Sequence, residues 1–552
     1  MRVKTRAMAA AAITSLALLA ACGGAGGDTP EPQASQPPGQ AGGEIVVRGC
    51  TPQKALLPAS TSETCGGNIL DAASAKLVHY NSDNAAPEND IAESIESDDN
   101  QNFTIKIKPY KFHDGTVVKA KNFVDAWNYA AYGPNAQDAS YFFTPVEGYG
   151  DLQCGATPEG EPDCKGQAPK AKEMTGLKVV DDTTFTIKTT EKVSNLPVRL
   201  GYTAFSPLPD SFFTAEGAKA QEKLPVGAGP FKVVSNSATE IVLEKFADYS
   251  GTLKPSVDKV TFRIYNSDAA AYTDVQANNL DFTDIIPSDR LVDDLYKTEL
   301  EGRNSSRETG VFQSITFSPV DEQFKDNPEL RKAISMALDR DLVTKQIFNG
   351  TRTPATGWVS PVVDGYKPDV CGEFCRFDAA KAKQMFEAAG GYDGTLTLTY
   401  NADGGHKEWT EAACNSIGQS LGIECVARSV PDFATLQNQL DARELKGLFR
   451  TGWQMDYPHI ENFLAPLYGK GADSNYSEYN NPEFDKKLAE AAAADSVEAG
   501  NALYQEAEAI LAKDFPVMPL WYVSTQVGWS ENVTDVKVTP FSTLDLSAIK
   551  RR

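Results

Sequence analysis

Five segments follow one another along the chain: TLTLTY (395–400), KEWTEAACNSIGQSL (407–421), IECVARSV (423–430), DFATLQNQLDAR (432–443) and GLFRTGW (447–453). The first, third and fifth of these segments have the pattern of strands, and the second and fourth have the pattern of helices. Helical connections of this length join neighbouring strands that run parallel. The stretch therefore predicts an α/β fold with a parallel sheet.

Two loops follow strands of this predicted sheet and mark a ligand site, because ligands bind beyond the carboxyl ends of such strands. The loops are Asn401-Ala402-Asp403 and Gln454-Met455-Asp456-Tyr457-Pro458. Asp456 is the stronger candidate, since the aromatic neighbours Trp453 and Tyr457 suit a partly buried site. A buried carboxylate at this position requires a cation. The alternative is a solvated loop acid, which is the usual environment of Asp.

Shorter patterns predict the remaining elements. We expect a strand at 44–47, a strand, turn and helix over 103–132, hairpins at 176–190 and 231–243, and helices at 327–350, 378–390 and 482–513. Asn327 and Asp378 precede two of these helices as N-caps. No internal repeat is visible.

Few residues have the spacing that catalysis requires. The histidines are His79, His113, His406 and His459, and no two of them form a metal-binding pair at helical spacing. Gly227-Ala228-Gly229 fails as a phosphate loop, because Lys232 stands where the third glycine is required. Although His459 is close to Asp456, nothing around it resembles a nucleophile. We predict that the protein is not an enzyme and has no metal or cofactor.

The length of the chain and its net charge limit the number of domains and the kinds of partner that we expect. The chain has 552 residues, several times the ~100–200 residues of a usual domain, so two or three lobes are expected. Its formal net charge is −23. A surface this acidic repels the phosphates of nucleic acids. We therefore predict no nucleic-acid partner.

The N-terminus has the pattern of an export signal. Basic residues precede an apolar run over 7–21, and Leu19-Ala20-Ala21-Cys22 resembles the bacterial lipobox. This resemblance implies cleavage before Cys22 and a lipid on its thiol. The alternatives are a short buried helix or a transmembrane anchor, but the run is shorter than the ~20 residues of a spanning helix. We predict a signal peptide at 1–21 and a flexible, Gly- and Pro-rich tether at 22–43.

The cysteines predict disulfides. Eight remain once Cys22 is assigned to the lipid, and they form four close pairs along the chain. An even set in an exported protein indicates disulfides, although eight cysteines allow 105 connectivities. Pairing of neighbours gives Cys50 with Cys65, Cys154 with Cys164, Cys371 with Cys375, and Cys414 with Cys425. Zinc at Cys371 and Cys375 is the alternative, but no second ligand pair with matching spacing follows.

Four motifs carry a resemblance to a known family. They are IKIK (105–108) leading to FHDGTVVKAKNF (112–123), GAGPFK (227–232), LRKAISMALDR (330–340) and GWQMDYP (452–458). With them, residues 45–550 resemble the extracytoplasmic solute-binding proteins of family 5, the oligopeptide-binding lipoproteins of ABC importers.

The resemblance implies a two-lobed α/β fold like that of periplasmic binding proteins (type II, cluster C), with a hinge and an extra subdomain on the first lobe. Transferred to this sequence, lobe I comprises 44–78, 200–310 and 525–552. The extra subdomain comprises 79–199, and lobe II comprises 311–524.

The resemblance also implies a peptide site. Asp456 would pair with the α-ammonium of the peptide, and main-chain groups of Gly452 and Gln454, on either side of Trp453, would bond its backbone. Ser62, Glu63 and Thr64 would form a second contact strand, placed by the spacing from Pro58 to Asn68-Ile69. Tyr457, Tyr141 and Trp521 complete the predicted set.

The implied partners are an oligopeptide and the permease subunits of an ABC importer. The protein would be a monomer, held by its lipid on the outer face of a cell membrane, which suits a Gram-positive-type cell. Two alternatives stay open: the same fold could bind another cationic or small solute, or it could serve as a receptor for a peptide signal.

Overall fold

The computed structural model describes residues 39, 41–156, 162–472 and 474–552. The predicted signal peptide, Cys22 and most of the predicted tether lie outside the described residues, as does the side chain of Asp403. Residues from Gly39 to Arg552 form one unit. Among the described residues, no helix has both the length and the apolar character needed to cross a bilayer.

Residues 395–453, from which the sequence predicted a parallel sheet, form the expected strands and helices. Its strands are Leu396–Asn401, Cys425–Val430 and Leu448–Gln454. Its helices are Lys407–Leu421 and Phe433–Asp441. Leu396–Asn401 pairs in parallel with both of the other strands, because each connection passes through a helix. The predicted α/β topology is confirmed.

This parallel group belongs to an eleven-stranded sheet that runs through both lobes. Its order is Phe231–Asn236, Glu240–Lys245, Lys259–Ile264, Glu44–Gly49, Phe282–Thr283, Val517–Trp529, Asn304–Phe317, Leu448–Gln454, Leu396–Asn401 and Cys425–Val430, with Arg352–Pro354 also paired to Val517–Trp529. We call Asn304–Phe317 and Val517–Trp529 the hinge strands. They pair antiparallel, and their register shifts between Glu308 and Phe312.

Each lobe has its own apolar core. In lobe I the core joins residues of 45–73, 231–282 and 527–549. In lobe II it joins residues of 312–522, including Trp358, Trp409 and Trp521, and Ala85 also belongs to it. The helices that pack on it are Pro328–Met336, Arg340–Gln346, Ala379–Ala388, Glu461–Tyr468, Pro482–Ala492 and Val497–Asp514. The predicted boundary at residue 310 falls in the register shift of the hinge strands.

The extra subdomain is built on a separate four-stranded sheet. The strand order is Ala92–Glu96, Asn102–Ile107, Thr184–Lys188 and Leu177–Asp181. Phe103, Ile105 and Ile107 are buried in alternation and pack against the helix Ala120–Ala131. Apolar residues of 196–212 also belong to this core, so the core extends beyond residue 199.

Two predicted helices are each divided in the structure. The helix expected at 327–350 is Pro328–Met336 followed by Arg340–Gln346, because the Asp339 carboxylate accepts a hydrogen bond from Leu342 N and caps a new helix. The helix expected at 482–513 divides in the same way at Ser496, whose hydroxyl accepts from Ala499 N. A side-chain cap starts a helix wherever the preceding residue leaves the helical conformation.

All four neighbouring cysteine pairs form disulfides: Cys50–Cys65, Cys154–Cys164, Cys371–Cys375 and Cys414–Cys425. The thiols of Cys371 and Cys375 are therefore bonded to each other, which excludes the zinc alternative at this pair. Each bridge closes a short loop of the chain.

A buried carboxylate in lobe II gives a prediction about stability. Glu508 is fully buried; its Oε1 accepts from Trp358 N at 2.8 Å, and its Oε2 has no hydrogen-bond partner among the described residues. Burial raises the pKa of Glu508 to about 7. Because the folded pKa lies above the unfolded one, stability is retained at low pH and falls as pH rises through 7.

We expect the Glu508 ionisation to remove about 2 kcal/mol of the free energy of unfolding between pH 5 and pH 8. Glu508→Gln should remove this part of the pH dependence, since the amide stays neutral and still accepts from Trp358. Urea unfolding at the two pH values measures it. Glu506→Gln, on the exposed face of the same helix, is the control, and an equal effect of both variants would contradict the prediction.

Candidate functional site

Asp456 lies immediately after the strand Leu448–Gln454, at the edge where lobe II faces lobe I. Asn462 fixes it from both sides: Asn462 Nδ2 donates to Asp456 Oδ2 at 2.9 Å, and Asp456 N donates to Asn462 Oδ1 at 2.8 Å. The hydroxyl of Tyr202, from the opposite side of the cleft, also hydrogen-bonds to the carboxylate. The side chain is thus held in one orientation by neutral donors.

No Lys or Arg side chain in the described part of the chain forms an ion pair with Asp456, and the one charged group acting on it is the acid Glu461. Burial raises the pKa of Asp456 to about 7, against the lowering effect of the hydrogen bonds from Asn462 and Tyr202. A half-buried carboxylate of this kind gains most from a cation supplied by a ligand.

Two cavities meet at Asp456. The larger one has a volume of about 820 Å³, and Ser62, Glu63, Tyr141, Tyr202, Trp453 and Asp456 are among its lining residues. The smaller one has a volume of about 200 Å³ and shares Ser62, Glu63, Tyr202 and Asp456, with Thr64 and Gln454 added. Residues far apart in sequence and predicted to contact one ligand therefore line one continuous cleft.

The strand before Asp456 has an unpaired edge. Leu396–Asn401 pairs with it only at Leu448 and Phe449, and no described strand pairs with that edge from Thr451 to Gln454. On the other side, Met455 N donates to Gly310 O. Because bonded residues alternate in an antiparallel ladder, Trp453 bonds to the hinge strand, whereas Gly452 and Gln454 direct their backbone groups to the open edge.

The opposite wall of the cleft is the segment before the helix Thr64–Ala73. The Glu63 carboxylate caps this helix, accepting from Cys65 N at 2.7 Å and from Gly66 N. The Glu63 carboxylate is therefore occupied by the N–H groups of the helix N-terminus. A ligand at this wall would contact the backbone of Ser62 and Glu63. The bridge Cys50–Cys65 fixes the helix to the end of the strand Glu44–Gly49.

The structure does not bring every predicted residue to the cleft. Trp521 is 1% exposed in the core of lobe II, with its ring 5.2 Å from those of Trp409 and Phe348. Tyr457 is also buried, and its ring packs in the core of the extra subdomain. Although Tyr457 follows Asp456 directly, its hydroxyl donates to Glu461 and its ring lies in that core, away from the cleft. Gly452 contributes backbone groups alone.

Several cleft residues escaped the sequence reasoning. The cations Lys54 and Arg450, the acid Asp138, and Tyr202 all line the larger cavity. Lys54 is paired with Asp138, and Arg450 Nε donates to Asn401 Oδ1 at 2.7 Å. Arg450 lies on the same strand as Trp453, so the strand assignment could have suggested it. No pattern in the sequence around Tyr202 suggested that this residue would line the cleft.

Two lobes enclose a cleft, and a carboxylate that forms no ion pair with any described Lys or Arg lies where they meet, which is the arrangement of a protein that binds a small solute. The chain belongs to the bacterial extracellular solute-binding proteins, family 5, and the family model described as family 5 Middle matches residues 86–475. The two-lobed fold expected from the sequence motifs is thereby confirmed.

Individual relatives agree with this assignment. The periplasmic oligopeptide-binding protein OppA of Salmonella typhimurium is 28% identical over 455 residues, which cover 79% of each chain. The murein tripeptide-binding protein MppA of Escherichia coli superposes with a TM-score of 0.78, at 22% identity, over 92% of this chain and 98% of that chain. Haemophilus influenzae OppA in complex with RPPGFSPFR gives 0.76, at 22% identity, over 93% of this chain and the whole of that chain.

The environment of Asp456 predicts its titration. The carboxyl ¹³C resonance of Asp456 is the one that is present in the parent and absent from Asp456→Asn. We expect it to titrate with a midpoint close to pH 7, well above the midpoint of an ordinary Asp. Tyr202→Phe removes a hydrogen bond to the ionised form, so the pKa of Asp456 should rise further. A midpoint close to 4 in the parent would contradict the assigned burial.

The bridge Cys50–Cys65 should order the lobe I wall of the cleft. In Cys50→Ser/Cys65→Ser we expect faster amide hydrogen exchange over residues 53–64, because the loop that carries this wall is no longer closed. The matched control is Cys371→Ser/Cys375→Ser in lobe II, which should leave exchange over 53–64 unchanged. Equal exchange in both variants would exclude this role.

Proposed function

We propose that this protein is a lipid-anchored extracytoplasmic receptor, which binds oligopeptides in the cleft between its lobes and delivers them to an ABC importer. The observation that carries the proposal is Asp456, a half-buried carboxylate that no described Lys or Arg pairs with, next to a strand edge that no described strand covers. A peptide has the two complementary features at one end: an α-ammonium and an extended backbone.

The ammonium would pair with Asp456 and set the register of the peptide. Its backbone would extend along the open edge at Gly452 and Gln454 and along the wall at Ser62 and Glu63, as an added strand does. Since main-chain bonds do not depend on side chains, this mode tolerates many sequences. The large cavity leaves room for side chains and for water that adapts to them.

The names of the relatives support the same ligand class. OppA of Salmonella typhimurium is named for oligopeptides, and the Haemophilus influenzae protein was solved with RPPGFSPFR. We propose that the lobes close around the peptide by bending at the hinge strands, a shift of population toward the closed state. No bond is broken, so the protein acts as a receptor and not as an enzyme, and it uses no cofactor.

The remaining parts of the proposal rest on the sequence. A lipid on Cys22 would hold the protein at the outer face of the cell membrane, in a cell of Gram-positive type, and the tether at 22–43 would let it reach the permease subunits. We propose that it acts as a monomer. Binding of another cationic solute, or reception of a peptide signal, uses the same Asp456 site and differs in the ligand or the partner.

We expect trialanine with a free amino terminus to raise the melting temperature of the protein and N-acetyl-trialanine to leave it unchanged. Asp456→Asn should weaken binding of the free-amine peptide by on the order of 3–5 kcal/mol, because a buried ammonium loses its counter-charge. Calorimetric titration of both peptides against both proteins measures these effects.

Asp138→Asn is the matched control, since Asp138 lines the same cavity but is paired with Lys54. It should change the affinity for trialanine much less than Asp456→Asn does. Equal binding of the free and acetylated peptides by the parent would exclude the role of Asp456. Mass spectrometry of solute that co-purifies with the native protein separates peptides from other cations.

A further inference from the structure

The smaller of the two cavities at Asp456 lies beside the place where a bound peptide would begin. Asp456, which would hold the α-ammonium, and Gln454 line this cavity. Thr451 and Trp453, which come earlier in the strand, line the larger cavity instead. A peptide that extends along the open strand edge would therefore enter the larger cavity with its later residues. The side chain of its first residue is the part that lies next to the smaller cavity.

One face of the helix Thr64–Ala73 forms a wall of the smaller cavity. Thr64, Gly67, Asn68 and Asp71 line it, and their spacing of three and four residues places them on the same side of the helix. A Cβ added at Gly67 would meet no neighbouring atom within 4 Å, so the space in front of this residue is open. The cavity volume of about 200 Å³ has room for a long side chain and a few waters, each of about 30 Å³.

The charged groups around the smaller cavity are mostly acids. Lys76 is the one Lys or Arg among the described residues that line it, whereas four acids do so: Glu63, Asp71, Asp90 and Asp456. The low-dielectric walls of a cleft concentrate the field of charges of one sign. A cation inside this cavity is therefore favoured over a neutral group of the same size.

Asp71 is the acid on the helical wall that a ligand can reach. Its side chain is 59% exposed, although Lys76 donates to its Oδ1. The Lys76 side chain is only 9% exposed, so the lysine leaves much of the carboxylate uncovered. Asp90, in contrast, is 2% exposed and accepts from the Tyr110 hydroxyl at 2.6 Å. Asp90 thus adds negative charge to the cavity, and Asp71 offers the contact.

Asp71 and Asp456 both lie close to the Tyr80 side chain. Burial raises the pKa of Tyr80 well above its ordinary value, and the charges of Asp456 and Asp71 raise it further. The Tyr80 hydroxyl donates to Val198 O at 2.7 Å, and its ring stacks on Phe541 with the ring centres 5.0 Å apart. A fixed aromatic side chain thus has two carboxylates near it, one after the lobe II strand and one on the lobe I helix.

We infer that the smaller cavity receives the first side chain of the peptide and prefers lysine or arginine there, with Asp71 as the residue that determines the preference. The inference rests on the proposed function, because it requires the α-ammonium at Asp456. The first residue would then place one cation at each carboxylate. Later residues bind through their backbone, so the preference is confined to the first position.

Gly67→Leu tests whether the first side chain enters the cavity. Leucine would project into the open space at this face of the helix, and it favours a helix more than glycine does. We expect the variant to bind lysyl-alanyl-alanine and norleucyl-alanyl-alanine about 10-fold more weakly than the parent does, because the space is already filled. Glycyl-alanyl-alanine, which has no first side chain, should stay within about twofold. Calorimetric titration measures the three affinities.

Asp71→Asn tests the charge preference. The parent should bind lysyl-alanyl-alanine about 5- to 10-fold more tightly than the neutral norleucyl analogue, and Asp71→Asn should reduce this ratio to about twofold or less. Lys76→Met should increase the ratio, because Asp71 then lacks a cation of its own. The affinity for alanyl-lysyl-alanine, whose lysine is the second residue, should respond much less to Asp71→Asn.

Glu88→Gln is the matched control for the loss of one negative charge. Glu88 pairs with His79 on the hairpin next to the cavity but does not line it. The ratio of the lysyl to the norleucyl affinity in this variant should stay within about twofold of the parent, since water and salt screen a charge outside the cavity. Thermal melting of the ligand-free proteins checks that each variant folds.

Equal affinities of the parent for the lysyl and norleucyl peptides would overturn the inference, as would a preference that Asp71→Asn leaves unchanged. The same holds if Gly67→Leu binds all three peptides as the parent does, or weakens all three equally. A parent that binds none of the peptides would contradict the proposed function itself, whereas a parent that binds them all without preference contradicts the inference alone.

Discussion

The antiparallel pairing of the two hinge strands is the constraint on which the rest of the structure depends. Asn304–Phe317 and Val517–Trp529 pair with each other along both lobes, so one sheet carries both cores. The strand Leu448–Gln454 takes its position from Asn304–Phe317, and Asp456 takes its position from that strand. A carboxylate at the mouth of the cleft therefore has the rigidity of an eleven-stranded sheet behind it.

Two acids of lobe II, the buried Glu508 and the half-buried Asp456, show what separates a structural carboxylate from a binding one. The pKa values of both Glu508 and Asp456 are raised to about 7 by burial. Glu508 is enclosed in the core and forms no ion pair with any described Lys or Arg, so its neutral form is favoured. Asp456 borders an open cleft, and its neighbours Asn462 and Tyr202 are oriented toward the ionised form. The access of a ligand to the carboxylate, and not the raised pKa itself, therefore indicates a binding role.

Much of this arrangement could be predicted from sequence, and the rest could not for physical reasons. The alternation of Phe103, Ile105 and Ile107 and the strand–helix order after residue 395 are local patterns, so they were informative. Asp456 followed from its place after a strand. Tyr202 meets Asp456 only through the tertiary fold, and Trp521 is an aromatic residue whose burial the sequence could not distinguish from a ligand contact. Asp339 and Ser496 cap new helices inside patterns that look continuous.

The unpaired edge of Leu448–Gln454 has a consequence for colloidal behaviour. A free strand edge with exposed N–H and C=O groups is a template on which other chains can add and aggregate. Here Gly452 and Gln454 present that edge inside a cleft bounded by Ser62 and Tyr202. Because these walls stand on either side of the edge, they limit the access of other chains to its free N–H and C=O groups.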